Sequence, residues 1–197
     1  MSVMEFKQLV REDLFRYAGE LGVGAFIKTW YHEVGFRFTV MMRLCRLLYL
    51  RPVTRYGPYY LVAIFYRGLS AKHGLLIDFT TEIEGGLYLP HALNIVVNRR
   101  CRIGKNCNLS QGVTLGISNR GEKKGTPVIG NNVYIGPGAV IFGEIEVCDN
   151  AAIGANCVVT KAVPEKGVIV GVPGKLISHK GSEGYINQTL PTSSKVN

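Results

Sequence analysis

The sequence lacks any run of the roughly 20 apolar residues that a membrane-spanning helix needs. It also lacks a CxxC pair: of its five cysteines, Cys101 and Cys107 stand six apart, and Cys148 and Cys157 nine apart. Zinc takes clustered thiolates or imidazoles at close spacing, so no metal is expected. An odd cysteine count argues against a disulfide framework, and the thiols read as small buried hydrophobes. The opening stretch MSVMEFKQLVREDLF carries acids early and has no continuous apolar core. It does not read as a secretory signal, and a cytoplasmic protein is the default expectation. Helix-turn-helix, zinc-finger and RRM patterns are missing, which leaves nucleic acid without support as a partner.

What is present is a chain of 197 residues, 47% hydrophobic and 19% charged, enough for one domain with a small accessory piece. The net charge is +9, and most of it lies early. Residues 1–75 hold eleven Lys/Arg against five Asp/Glu, and the remainder twelve against nine. Such an excess suits an anionic membrane face or an acidic ligand. Arg43, Arg46 and Arg51 interleave with Leu44, Leu47 and Leu48. That pattern fits peripheral membrane contact through basic N-terminal helices. The simpler reading is a helix packed on its neighbours with its arginines in water.

From Ile77 onward the chain keeps a period of six. Aliphatic residues stand at Ile77, Ile83, Leu89 and Ile95, then after a slip of two at Ile103, Leu109 and Leu115. The period breaks for ISNRGEKKGTPV and resumes at Ile129, Ile135, Ile141, Val147, Ile153 and Val159. Small or aliphatic residues follow most anchors by four, and Gly104, Gly116, Gly130, Gly136 and Gly154 follow by one. A strand has period two and a helix 3.6, so neither explains the beat. A short strand plus a tight turn occupies six residues, and three such units close a triangular coil of about 18. Anchors point inward and stack from coil to coil, while Gly and Asn serve the turns.

The beat divides the chain into a helical N-terminal cap over 1–74, a coil region over 75–177 and a polar, flexible tail over 178–197. MEFKQLVREDLFRYAGELG, GAFIKTWYHEVGF, FTVMMRLCRLLYLR and GPYYLVAIFYRGLSAKHG all carry helical apolar spacing. A cap of this kind covers the open end of a solenoid.

The region from Leu75 to Ile177 resembles the hexapeptide-repeat acyltransferases. LYLPHALNIVVNRRCRIGKNCNLSQGVTLG and PVIGNNVYIGPGAVIFGEIEVCDNAAIGANCVVTKAVP, with VGVPGKLI, are similar to the serine acetyltransferase branch. The resemblance implies a mainly β fold, a left-handed parallel β-helix, assembled as a homotrimer with active sites between subunits. It implies acetyl-CoA as acyl donor, no metal, and His91 as the catalytic base. A neutral imidazole can take the proton of an alcohol as its oxygen attacks a thioester. Carried over residue by residue, Gly116, Gly136 and Ala155 would line the pantetheine path. Thr160, Lys161 and Lys175 would meet the adenine and phosphate end. Arg120, Lys123 and Lys124 would grip cofactor and acceptor from the protruding loop.

The chain departs from that branch in three places. Pro90 stands where serine acetyltransferases carry Asp before the histidine. Gly125 and Thr126 stand where they carry Arg-His. The carboxylate that orients the histidine falls on Leu76, with Asp78 two residues on as the substitute. An amino-acid carboxylate or ammonium buried without partners would cost several kcal/mol. These departures argue against serine and for a sugar or glycan hydroxyl, in surface-polysaccharide synthesis. A serine O-acetyltransferase of cysteine synthesis and a non-catalytic β-helix scaffold are the alternatives.

Overall fold

Strands of two to four residues, each ending at a sharp corner, produce the period of six. The computed structural model describes residues 1–191, so the last part of the expected tail, 192–197, lies outside the described residues. The strands are β1 (Leu76–Ile77), β2 (Glu82–Ile83), β3 (Val96–Val97), β4 (Arg102–Ile103), β5 (Asn108–Leu109), β6 (Thr114–Gly116) and β7 (Val128–Ile129). They continue as β8 (Tyr134–Ile135), β9 (Val140–Phe142), β10 (Glu146–Val147), β11 (Ala152–Ile153), β12 (Val158–Val159), β13 (Val168–Val170) and β14 (Lys175–Ser178). They stack into three sheets: β1-β3-β6-β9-β12 (first), β2-β4-β7-β10 (second) and β5-β8-β11-β13-β14 (third). All pairings are parallel except β13 with β14, which folds back over the end of the third sheet.

The inward columns are aliphatic. Ile77, Val97, Leu115, Ile141 and Val159 lie in register in the first sheet. Ile83, Ile103, Ile129 and Val147 do so in the second, and Leu109, Ile135, Ile153 and Ile169 in the third. All are buried in one continuous core, so each coil hides its apolar surface against the next. At one corner Asn106, Asn132 and Asn150 adopt left-handed φ of 55°, 53° and 59°. Asparagine tolerates that region, and the side-chain amides link in a column at 3.2 Å per step.

The slip in the beat falls earlier than its aliphatics suggest. Ile95 does not occupy a strand; Val97 is the inward strand residue, paired with Ile77 and Leu115. Ile95 is buried at the preceding corner. The two extra residues therefore lie between Leu89 and Val97, around His91.

Five helices make the cap: α1 (Val3–Ala18), α2 (Val23–His32), α3 (Val34–Tyr49), α4 (Pro52–Arg55) and α5 (Pro58–His73). Ser2 and Glu5 form a capping box on α1, and Gly19 ends it at φ 72°. Proline opens α5, and Gly74 closes it at φ 65°. Among the described residues no helix is long and apolar enough to cross a membrane.

The first coil has no coil beneath it, and the cap satisfies its backbone groups with side chains. Arg43 is buried and donates to Asp13 through Nε at 2.6 Å and Nη2 at 2.9 Å. It also donates to the carbonyls of Ile83 at 3.1 Å and Glu84 at 2.7 Å. Asp13, fully buried, accepts in addition from the N–H groups of Gly86 at 2.9 Å and Leu87 at 3.1 Å. Arg46 donates to the Thr81 carbonyl at 2.7 Å, and buried Arg16 to the Gly86 carbonyl at 3.3 Å. The Tyr17 hydroxyl accepts from the N–H of Leu89 at 2.8 Å. Arg43 is thus buried and Arg46 half-buried against the first coil. Coil carbonyls claim them, and only Arg51 of the three is exposed.

Part of the expected flexible tail is seated on the third sheet. Ser182 is buried and donates to the Asn132 carbonyl at 2.6 Å. The Tyr185 ring stacks on Tyr134 at 4.3 Å between centroids, and its carbonyl accepts from Asn108 at 3.0 Å.

All five thiols are free, and Cys45, Cys101, Cys107 and Cys157 are buried, as small hydrophobes would be. Burial pushes the thiols of Cys45 and Cys107 up to about 12 and that of Cys101 up to about 11. These groups stay protonated, and so unreactive, until pH rises toward those values. A disulfide reagent at pH 8 should therefore titrate no more than Cys148 in the native chain and all five thiols in denaturant. Rapid native modification of the others would contradict their burial. A second test concerns the ion pair. Asp13→Ala strands a buried guanidinium and should cost about 3–5 kcal/mol. In thermal melts at fixed protein concentration, Asp13→Leu with Arg43→Leu should lose less than the two single variants summed.

Candidate active site

The corner between the third and first sheets carries His91, and a register change pushes it outward. Tyr88 bridges to Asn108, twenty residues on, whereas Val96 pairs with Thr114, eighteen on. The Gly112 N–H donates to the Leu93 carbonyl at 3.0 Å, which stacks Gln111 over Leu93. His91 and Ala92 are thereby left as the two residues without a counterpart in the next coil. The Leu93 N–H folds back to the His91 carbonyl at 2.7 Å, and Asn94 returns the chain at φ 54°. The result is an exposed imidazole on a tight extrusion, with Pro90 half-buried at its base. The signal for this was present in the sequence: Val97, Ile103, Leu109 and Leu115 are six apart, and counting from Val97 puts the slip at His91.

The same corner runs up the stack through Gly136 and Ala155. Gly136 is buried, and a Cβ there would come 2.9 Å from the Ala155 nitrogen, so coil packing alone requires glycine. Ala155 is exposed. Lys175 is exposed at the start of β14, after Gly174 donates to the Val158 carbonyl at 2.8 Å.

The other candidates lie along the next corner, between the first and second sheets. Gly116 ends β6, and a Cβ there would meet Phe142 at an ordinary 3.5 Å. Packing does not demand glycine at 116, so the open face it leaves is available to a ligand. The loop leaves after Gly116 and returns as a hairpin, with Ser118 and Gly125 exchanging backbone bonds of 2.9 and 3.0 Å. Lys123 donates through Nζ to the Thr160 carbonyl at 3.0 Å and accepts at its own carbonyl from Glu144 at 3.0 Å. The loop is therefore tied to the coils beside Thr160 and Lys161. Arg120, Lys124 and Lys161 are exposed there, as are Arg99 and Arg100 one coil below. Gly125, at φ 153°, has no room for a Cβ, which would sit 2.8 Å from Glu144. Thr126 donates to the Arg100 carbonyl at 3.1 Å.

Within one chain these groups form two half-sites on opposite edges of the first sheet. His91, Gly136, Ala155 and Lys175 share one corner; Asp78, Gly116, the loop, Thr160 and Lys161 share the other. Asp78 does not meet His91. Its carboxylate accepts from the Thr80 N–H at 2.7 Å and hydroxyl at 2.5 Å. Among the described residues no three His, Cys, Asp or Glu side chains converge as metal ligands would.

Residues 126–161 match the family described as bacterial transferase hexapeptide (six repeats). A serine acetyltransferase of Staphylococcus xylosus is 37% identical over 120 residues, which are 61% of this chain and 53% of that protein. The chain thus spans about half the length of the curated relatives it matches. The crystal structure of Neisseria gonorrhoeae serine acetyltransferase in complex with serine superposes with a TM-score of 0.72 at 30% identity, covering 90% of this chain and 71% of that one. A serine acetyltransferase complex with CoA gives 0.71 at 28% identity, covering 89% and 71%. These relatives overturn the expectation of a sugar or glycan acceptor, since all three act in name on serine. The expectation weighed Pro90, Gly125 and Thr126 singly, whereas the fold also brings exposed Arg120 and Lys124 to the loop corner. The fold is the left-handed parallel β-helix with an N-terminal helical cap, and the chain belongs to the hexapeptide-repeat acyltransferases, in their serine acetyltransferase-like branch.

Proposed function

We propose that the chain is a cytoplasmic, acetyl-CoA-dependent O-acetyltransferase that acylates the hydroxyl of serine, the first step toward cysteine. The observation that carries this reading is the His91 extrusion, a register change whose product is an exposed imidazole beside a path of small residues. Acetyl-CoA supplies the acetyl group and the thiol leaving group. His91 accepts the hydroxyl proton as the serine oxygen adds to the thioester carbonyl, and returns it to the sulfur as that bond breaks. Base catalysis of this kind contributes about 10²–10⁴-fold. Gly116 and Ala155 leave room for the pantetheine arm, while Lys161, Lys175 and Arg120 neutralise phosphate. The cations of the loop corner, with Glu144 and Asp78, offer partners to an amino acid's carboxylate and ammonium in place of the absent Arg-His and Asp.

The two half-sites become one if the chain is a homotrimer packed through the first sheet. A three-fold arrangement about that face sets the His91 corner of one subunit against the loop corner of the next. The outward residues of this sheet support it: Leu76, Val96, Val140, Phe142 and Val158 are apolar, with Thr114 among them. The second sheet instead presents Glu82, Arg102 and Glu146, and the third is covered by the chain's own tail. An apolar face left uncovered beside a charged one marks an interaction surface.

Thiol release from acetyl-CoA should require serine and fall by 10²–10⁴-fold in His91→Ala, with CoA binding and subunit mass unchanged. Release that is indifferent to serine would remove the acceptor assignment, and full turnover in His91→Ala would remove the base. Val96→Asp with Val140→Asp should reduce the mass in light scattering from three chains to one while the helical circular dichroism persists, and turnover should vanish with the assembly. An active monomer would show that one chain holds a complete site.

A further inference from the structure

We infer that Gln111 is the positioning residue for the His91 imidazole, its side-chain oxygen, unpaired in the isolated chain, taking up the ring N–H in the working site. This rests on the base role of His91 proposed above. Among the described residues only two buried side-chain polar atoms have no hydrogen-bond partner, Thr81 Oγ1 and Gln111 Oε1. The second lies on the His91 corner. Gln111 stacks over Leu93, the first residue past the extruded pair, and its backbone carbonyl is held from above by the Gly138 N–H at 2.9 Å. Gln111 therefore stands on the coil directly above the extruded pair. A buried amide oxygen without a donor is unfavourable, because it has given up water for nothing.

His91 has the complementary deficit. A neutral imidazole that takes a proton at one nitrogen carries a hydrogen on the other, and the acceptor of that hydrogen sets the tautomer. Asp78, the sequence-based candidate, lies on the loop corner, where Thr80 holds its carboxylate and the assembled site gives it to the acceptor's ammonium. The other ionisable groups around the corner are occupied or distant from this task. Tyr17 holds the Leu89 N–H, and burial, opposed by that bond, pushes its hydroxyl well up. Tyr88 stacks edge-on against Tyr17 at 4.7 Å and lies beside the Arg16 guanidinium; Glu33 acts on both rings through its charge. His73 is pushed down by burial and by the charges of Lys72 and Arg37. No hydrogen bond joins any of these side chains to the His91 ring. An amide differs from a carboxylate in one respect that matters here: it orients the ring without a charge that would hold a proton on it.

The test uses steady-state kinetics of the intact enzyme across pH. Gln111→Leu should lower kcat about tenfold or more, with KM for acetyl-CoA and subunit mass unchanged. Gln111→Glu keeps the acceptor and adds a charge. It should retain most of kcat while the acid limb of the kcat/KM profile moves up by about one pH unit or more, because a neighbouring anion favours the protonated ring. A residue that merely packs would not move that limb. Should Gln111→Leu lose its fold, Gln111→Glu decides alone. An unmoved limb in Gln111→Glu, or full kcat in Gln111→Leu, with His91→Ala inactive, would overturn this inference and leave the base assignment standing. Full turnover in His91→Ala would overturn both.

Discussion

The end of a coil stack is a row of backbone groups with nothing to bond, and the Arg43–Asp13 pair is what closes it here. Asp13 takes two donors from the guanidinium and two from the N–H groups of Gly86 and Leu87. Arg43 donates two more N–H groups to the carbonyls of Ile83 and Glu84. An open sheet edge invites pairing with another chain, and natural β folds cover it. In this chain the cover is ionic at its centre. Desolvating two charges is unfavourable, so the pair is stabilising only because both carboxylate oxygens and four of the five guanidinium N–H groups are matched. Part of the basic excess of the N-terminal third thus has a structural destination. Arg16, Arg43 and Arg46 all end on coil carbonyls.

That closure also fixes the platform of the site. His91 belongs to the first coil, the one the cap touches, and Tyr17 grips the backbone two residues before it. Gly35 of α3 packs so close to the Leu89 carbonyl that a Cβ would lie 2.4 Å away. The extrusion therefore starts from backbone held on both sides: by the cap below and by the Ser110–Gln111 coil above. A general base works only when its ring is within reach and in the right tautomer. Rigid support on either side of a two-residue bulge is one way to meet that demand.

The likeness to serine acetyltransferases illustrates how little single positions decide about an acceptor. Pro90, Gly125 and Thr126 replace the residues that the serine branch uses, and a subtraction of their charges argues against serine. The structure gives Gly125 another reason to exist, since Glu144 occupies the space a side chain would need. The loop that loses Arg-His brings Arg120, Lys123 and Lys124 to the same corner, tied down through Thr160. Charge recognition depends on the sum of groups facing a ligand, and that sum is set by the fold rather than by any one column of a motif.

The solenoid was legible from the residues because a six-residue period has no other common physical source, and inward aliphatics obey it coil after coil. The burial of four cysteines was legible too, since isolated thiols serve as small hydrophobes, while the part proposed for His91 rests on the motif around it. Three things were settled only in three dimensions. The location of the slip depended on strand pairing, because Ile95 and Val97 are both aliphatic and both buried. The fate of the arginines depended on which carbonyls the first coil left open. The separation of Asp78 from His91 depended on the coil's corners, which turn neighbours in sequence onto different edges of one sheet. Local pattern records which residues must be buried; only the closed stack decides which of the polar ones meet.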